Sequence, residues 1–92
     1  MPPWGYTSVL PPDYAELSSL SKIATDAIKK VNGEQFFIGP PHLTVGYSAS
    51  GGSYDWVKAL HNVKYAFALE LRPSQGSADS FYGFALPENR QF

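Results

Sequence analysis

From Val63 to Leu71 the chain reads VKYAFALEL, and its side chains sort by twos. Val63, Tyr65, Phe67, Leu69 and Leu71 fall on one face of an extended chain, all large and apolar. Lys64, Ala66, Ala68, Glu70 and Arg72 fall on the other. This pattern predicts a strand over 63–71. A strand needs partners for its backbone groups, so the pattern also demands a sheet and elements to cover it.

The elements to cover it are legible on either side. Asp13-Tyr-Ala-Glu16 carries the spacing of a capping box. Leu17, Leu20, Ala24, Ala27, Ile28 and Val31 follow at helical spacing, a stripe expected to face the core. Lys29 and Lys30 suit the negative end of the helix dipole, and Gly33 suits a left-handed cap. Together they predict a helix over 14–31. Ser53 to Leu60 reads as a short helix with Ser53 as its cap. Gly39-Pro-Pro41 is a break, Leu43 to Val45 a short extended piece, and Tyr47-Ser-Ala-Ser-Gly-Gly-Ser53 a loop. Ser74 to Ser80 is a polar loop. Phe81 to Leu86 is a second candidate strand that Pro87 ends. The first twelve residues hold four of the eight prolines, which excludes helix there. The expected fold class is α/β: a partial mixed sheet containing 63–71, flanked by the 14–31 helix and the short helix after Ser53.

At 92 residues the chain makes one small domain, or a piece of a larger one. A chain of this length buries only about 60–65% of its unfolded surface. It has no cysteine, so neither disulfides nor cysteine-based metal sites support it. An apolar content of 43%, with 15% aromatic, suffices for a packed core. The net charge of −1, without a basic run or acidic tail, argues against a nucleic-acid partner. No apolar run approaches the ~20 residues that span a bilayer, so no membrane partner is expected. The opening MPPWGYT lacks the regions of a secretory signal. Trp4 and Trp56 are expected as core anchors.

Glu70 stands out because it sits in an otherwise apolar run. Pattern alone leaves two readings open. Glu70 pairs with Arg72 or another cation on a solvated sheet face, as most lone strand acids do. Alternatively, the Ala66–Ala68 floor beside it leaves room for something other than protein, and the carboxylate is a catalytic or binding group.

Several spaced segments bear on the choice. Pro3-Trp-Gly-Tyr-Thr7, Tyr47-Ser-Ala-Ser-Gly-Gly-Ser53, Asp55-Trp56, Lys64-Tyr65, Phe67-Ala-Leu-Glu-Leu-Arg72 and Tyr82-Gly-Phe-Ala-Leu-Pro87 run in one order. In that order they resemble the C-terminal part of the zinc metallocarboxypeptidases of the pancreatic carboxypeptidase A/B type. The resemblance covers nearly the whole chain and places residues 1–92 as a single C-terminal fragment of such a catalytic domain. It implies that the expected sheet is a subregion of that family's α/β fold. It implies Glu70 as the general base that takes a proton from zinc-bound water. It implies Tyr47 as the mobile tyrosine that bonds the substrate's terminal carboxylate, and Tyr54 as the residue at the floor of the specificity pocket. Ala49, Gly52 and Ala68 fall on the pocket walls, and Phe84 beside the substrate. Basic-specific members carry an acid where this chain has Tyr54, so the resemblance implies an apolar or aromatic preference.

The family's zinc ligands, a His-x-x-Glu pair and a later histidine, have no counterpart in these residues. His42 and His61 match neither, and both read as surface or structural. Zn2+ is therefore expected in the intact parent enzyme and not on this chain, which by itself is expected to be inactive. Pro73 to Phe81 is longer than the family's turn, and one residue is added between Trp56 and Lys64. The expected partners are a peptide C-terminus and the rest of the catalytic domain, with self-association through an exposed sheet edge. A zinc-free module that binds peptide C-termini without cutting them is the competing reading. An extracellular or secretory location follows from the resemblance alone.

Overall fold

A computed structural model describes residues 1–90. Helix α1 runs over Tyr14–Asn32, α2 over Pro41–Thr44 and α3 over Ser53–His61. Two short 3-10 turns follow at Ser80–Tyr82 and Glu88–Arg90.

Helix α1 matches the predicted helix and extends it by one residue, to Asn32. Its end is the one the sequence calls for. Gly33 takes φ 80° and donates its N–H to the Lys29 carbonyl at 2.8 Å. Its start is different. Asp13 makes no capping hydrogen bond. Its carboxylate accepts from Lys58 Nζ at 2.7 Å, and Glu16 turns to Tyr65 and Lys64. The capping box is replaced by ion pairs to the other half of the chain, because full charges at these distances outcompete neutral N–H donors. Helix α3 likewise begins after Gly52, with Ser53 as its first residue and no side-chain cap. It ends on Asn62 in the left-handed conformation.

The partial mixed sheet is not formed: no strand occurs among the described residues. Residues 63–71 take no regular secondary structure, and no described segment runs alongside them as a ladder. Their one sheet-like contact is at Ala68. It donates its N–H to the Met1 carbonyl at 2.8 Å and accepts from the Met1 amino group at 2.7 Å. One exchanged pair does not make a strand. Two further segments depart from expectation. The extended piece at 43–45 is largely taken up by α2, because Pro41 sits at the first helical position with its φ already set. The candidate strand at 81–86 begins as the Ser80–Tyr82 turn.

The faces of 63–71 are also inverted. The alanine side turns inward, with Ala66 buried, while Val63, Tyr65, Leu69 and Leu71 are exposed. The stripe on α1 is fully covered only at Leu17; Leu20 and Ile28 are half-buried, and Ala24, Ala27 and Val31 are exposed. Leu17 is 0% exposed, but Val31 is 84% exposed. Neither tryptophan is a core anchor: Trp4 is half-buried, and Trp56 lies exposed against the His61 ring, centroids 4.2 Å apart. No two of the helices pack on each other. The segments are held through the N-terminal loop and through charged side chains.

Candidate active site

Three of the expected site residues, Ala49, Gly52 and Tyr54, gather at the start of α3, around a residue that the sequence reading did not single out. Gly5 is buried in the N-terminal loop. Its N–H donates to both carboxylate oxygens of Asp55, at 3.0 and 2.9 Å. Its carbonyl accepts from the Ala49 N–H at 2.9 Å. The third side of Gly5 is closed by Tyr54. A Cβ at position 5 would overlap the Tyr54 hydroxyl and lie 3.0 Å from its ring and 3.2 Å from the Ala49 carbonyl. Gly52 meets the same ring: a Cβ there would stand 2.6 Å from Tyr54 Cε1. The phenol is thus seated on two glycines, both of which it approaches too closely for any side chain.

Asp55 is buried, yet it is a carboxylate. Two features offset its desolvation: the N–H that it shares between its oxygens, and its place in the first turn of α3, where the helix dipole favours negative charge. Gly5 and Asp55 are what the sequence reading missed. The signal was weak, a lone glycine between two aromatics, and its partners lie about fifty residues away in sequence.

Tyr54 borders a cleft of about 230 Å3 with Val57, Ala66 and Phe67. Partial burial raises the phenol above its ordinary pKa, and the charges of Asp55 and Glu70 raise it further. Glu70 is exposed. Its charge is felt at Tyr54 and at the Met1 amino group, whose pKa is lowered by burial and pulled partly back by Glu70. Ala68 is half-buried and carries the exchanged pair with Met1.

Ala49, Gly52 and Tyr54 therefore come together at Gly5, with Glu70 within electrostatic reach. Tyr47 and Phe84 are 57% and 92% exposed. A larger cleft of about 410 Å3, lined by Trp4, Asp13, Lys58 and Lys64 among others, contains none of the expected site residues.

The two histidines lie apart, His42 on α2 and His61 at the end of α3. Among the described residues no three of His, Asp and Glu gather as a metal would need.

Comparison with known proteins places this arrangement. A family model described as zinc carboxypeptidase matches residues 1–91. The chain is 46% identical over 90 residues to carboxypeptidase B of Astacus astacus, covering 98% of this chain and 28% of that protein. It is 42% identical over 85 residues to carboxypeptidase A2 of Rattus norvegicus, covering 92% of this chain and 19% of that protein. It is 41% identical over 88 residues to mast cell carboxypeptidase A of Homo sapiens, covering 96% and 19%. The chain belongs to the zinc carboxypeptidase family. It spans less than a third of the length of these relatives.

Proposed function

We propose that residues 1–92 are the C-terminal part of the catalytic domain of a zinc-dependent carboxypeptidase, which hydrolyses the last peptide bond of its substrate. Glu70 is the general base, Tyr47 the donor to the substrate's terminal carboxylate, and Ala49, Gly52, Tyr54, Ala68 and Phe84 the substrate contacts. The zinc is held by residues outside this chain, and the chain by itself does not turn over peptides. The observation that carries this reading is the family match across residues 1–91. The packing of Tyr54 against Gly5, Gly52 and the Ala49 carbonyl, with the charge of Glu70 felt at its phenol, supports it.

The side-chain preference follows from Tyr54. Its phenol is held protonated by burial and by two neighbouring carboxylates, so it offers no negative charge to a lysine or arginine. The nearby acid, Asp55, is engaged by the Gly5 N–H. An apolar or aromatic C-terminal residue suits such a floor better than a basic one.

The test is complementation. The chain is refolded with the N-terminal remainder of a related carboxypeptidase in the presence of Zn2+. Release of C-terminal phenylalanine and of C-terminal arginine is then measured. Hydrolysis favouring phenylalanine is expected, and Glu70→Gln should lose at least 100-fold. Peptide binding without hydrolysis by the refolded complex overturns the catalytic reading.

A further inference from the structure

The charged groups between α1 and the segment that carries Glu70 form one connected cluster, which the reaction proposed above does not use. The start of α1 contributes Asp13 and Glu16. Helix α3 contributes Lys58, and the 63–71 segment contributes Lys64 and Tyr65. Lys58 Nζ donates to Asp13 Oδ2 at 2.7 Å and to the Lys64 carbonyl at 3.0 Å. Lys64 Nζ lies 2.9 Å from Glu16 Oε2, and the Tyr65 hydroxyl donates to Glu16 Oε1. One ammonium group therefore holds the backbone of Lys64, while one carboxylate holds the side chains of Lys64 and its neighbour. The Lys58–Asp13 pair is the shielded part, with side chains 11% and 27% exposed. Beyond the cluster the segment is tied again at Ala68, two residues before Glu70.

We propose that Asp13 and Glu16 are positioning residues for Glu70: with Lys58, Lys64 and Tyr65 they form a clamp that fixes where the 63–71 segment leaves α3, and so where the Glu70 carboxylate stands. This rests on Glu70 being the general base. Neither acid touches the reacting atoms; both act through the backbone that follows Lys64. Ala68 is paired with Met1 four residues after Lys64, so a shift at Lys64 reaches Glu70 by straining or moving that pair. A misplacement on the order of 1 Å is enough to slow a proton transfer substantially.

The clamp opens in acid. Asp13 is held below its ordinary value mainly by its hydrogen bond from Lys58. Glu16 is lowered by its hydrogen bonds from Tyr65 and Lys64. Both therefore stay charged above the usual carboxylate range and lose their partners only as pH falls through the lowered values. The Lys64 and Tyr65 values are raised, chiefly by the hydrogen bond to Glu16, so neither releases its proton near neutrality. The cluster therefore responds on the acid side of neutrality, through the two carboxylates.

The test reads the backbone amide resonances of residues 66–70 in this chain by NMR as pH falls. Glu16→Gln is expected to move them at neutral pH in the direction in which acid moves the wild type. It should also remove most of the acid transition. The swapped pair Glu16→Lys with Lys64→Glu is expected to restore the wild-type positions. Changes confined to α1 and residues 64–65, with Ala68 and Glu70 unmoved and helix content retained, overturn the proposal. If Glu16→Gln unfolds the chain, Lys64→Gln, which leaves the Asp13–Lys58 pair intact, carries the same comparison. In the complemented enzyme, Glu16→Gln is expected to lower kcat about tenfold with KM held, and the swapped pair to recover it. The resonances do not depend on turnover. If Glu70→Gln leaves hydrolysis intact, the general-base reading fails while the clamp is judged on the amides alone.

Discussion

A methyl group on Gly5 would meet the Tyr54 hydroxyl, the Tyr54 ring and the Ala49 carbonyl at once. It cannot be accommodated without moving the phenol off its seat or pulling the Gly5 N–H away from Asp55. Gly5→Ala is therefore expected to destabilise the chain by about 1–3 kcal/mol, as overpacking of a tight site does. Asp55→Ala leaves the same buried N–H without its acceptor, a loss of about 1–3 kcal/mol. Both changes break one junction, so their effects should not add, and the double variant should lose clearly less than the two losses together. Urea denaturation of the four proteins checks this. Simple additivity would mean that Gly5 and Asp55 act independently. At this scale the sequence was informative about chemistry and silent about contact. Glu70 stood out as an acid in an apolar run, and Tyr47 to Ser53 as a loop. Which glycine the tyrosine would need depended on a residue in a distant loop, and no local pattern encodes that.

Elements were legible to the extent that they satisfy themselves. α1 and α3 close their hydrogen bonds within their own segments, and the signals for their ends, Gly33 and the glycine-to-serine start after Gly52, sit beside them in sequence. The 63–71 segment has an equally clear alternation, but a strand's hydrogen bonds belong to its neighbours. Among the described residues only Met1 exchanges a backbone pair with it, so the pattern has no ladder to express itself in. The expected stripe on α1 failed for the same reason: an apolar face is buried only where something covers it. What does tie α1 to the rest is the Asp13–Lys58 pair, and this has a pH signature. Asp13 titrates lower in the folded chain than in the unfolded one. Its contribution is complete above the unfolded value near 3.9 and is lost as pH falls through the lower folded value. Stability is thus expected to fall below about pH 4. Lys58→Met should flatten that fall while lowering stability at neutral pH. Urea midpoints between pH 2 and 7 measure it, and an unchanged acid slope in Lys58→Met would assign the effect to other carboxylates.

The whole molecule is loosely drawn together. Its radius of gyration is 14.2 Å, against roughly 12 Å for a compact domain of this length. Phe37, Phe84, Val31 and Phe81 are each more than three-quarters exposed, and no pair of helices shares an interface. Exposed apolar side chains in such number favour burial against another surface. Self-association is expected to survive the loss of the predicted sheet edge, now through these apolar faces. Sedimentation velocity from 5 to 200 μM should show the mean mass rising with concentration, and Phe37→Ser with Val31→Lys should reduce the rise. A constant monomer mass across that range would mean that the exposed side chains do not mediate association.

Leu17 is the one large aliphatic side chain in the described residues to be wholly enclosed. An interior whose largest enclosed side chains are Leu17, Pro2 and Pro3 has little redundancy. In a thicker protein a lost methyl is absorbed by neighbours that shift a little, and drift in sequence is spread over many interchangeable positions. Here, tolerance to substitution should divide sharply: free variation along the outer half of α1, and almost none at position 17.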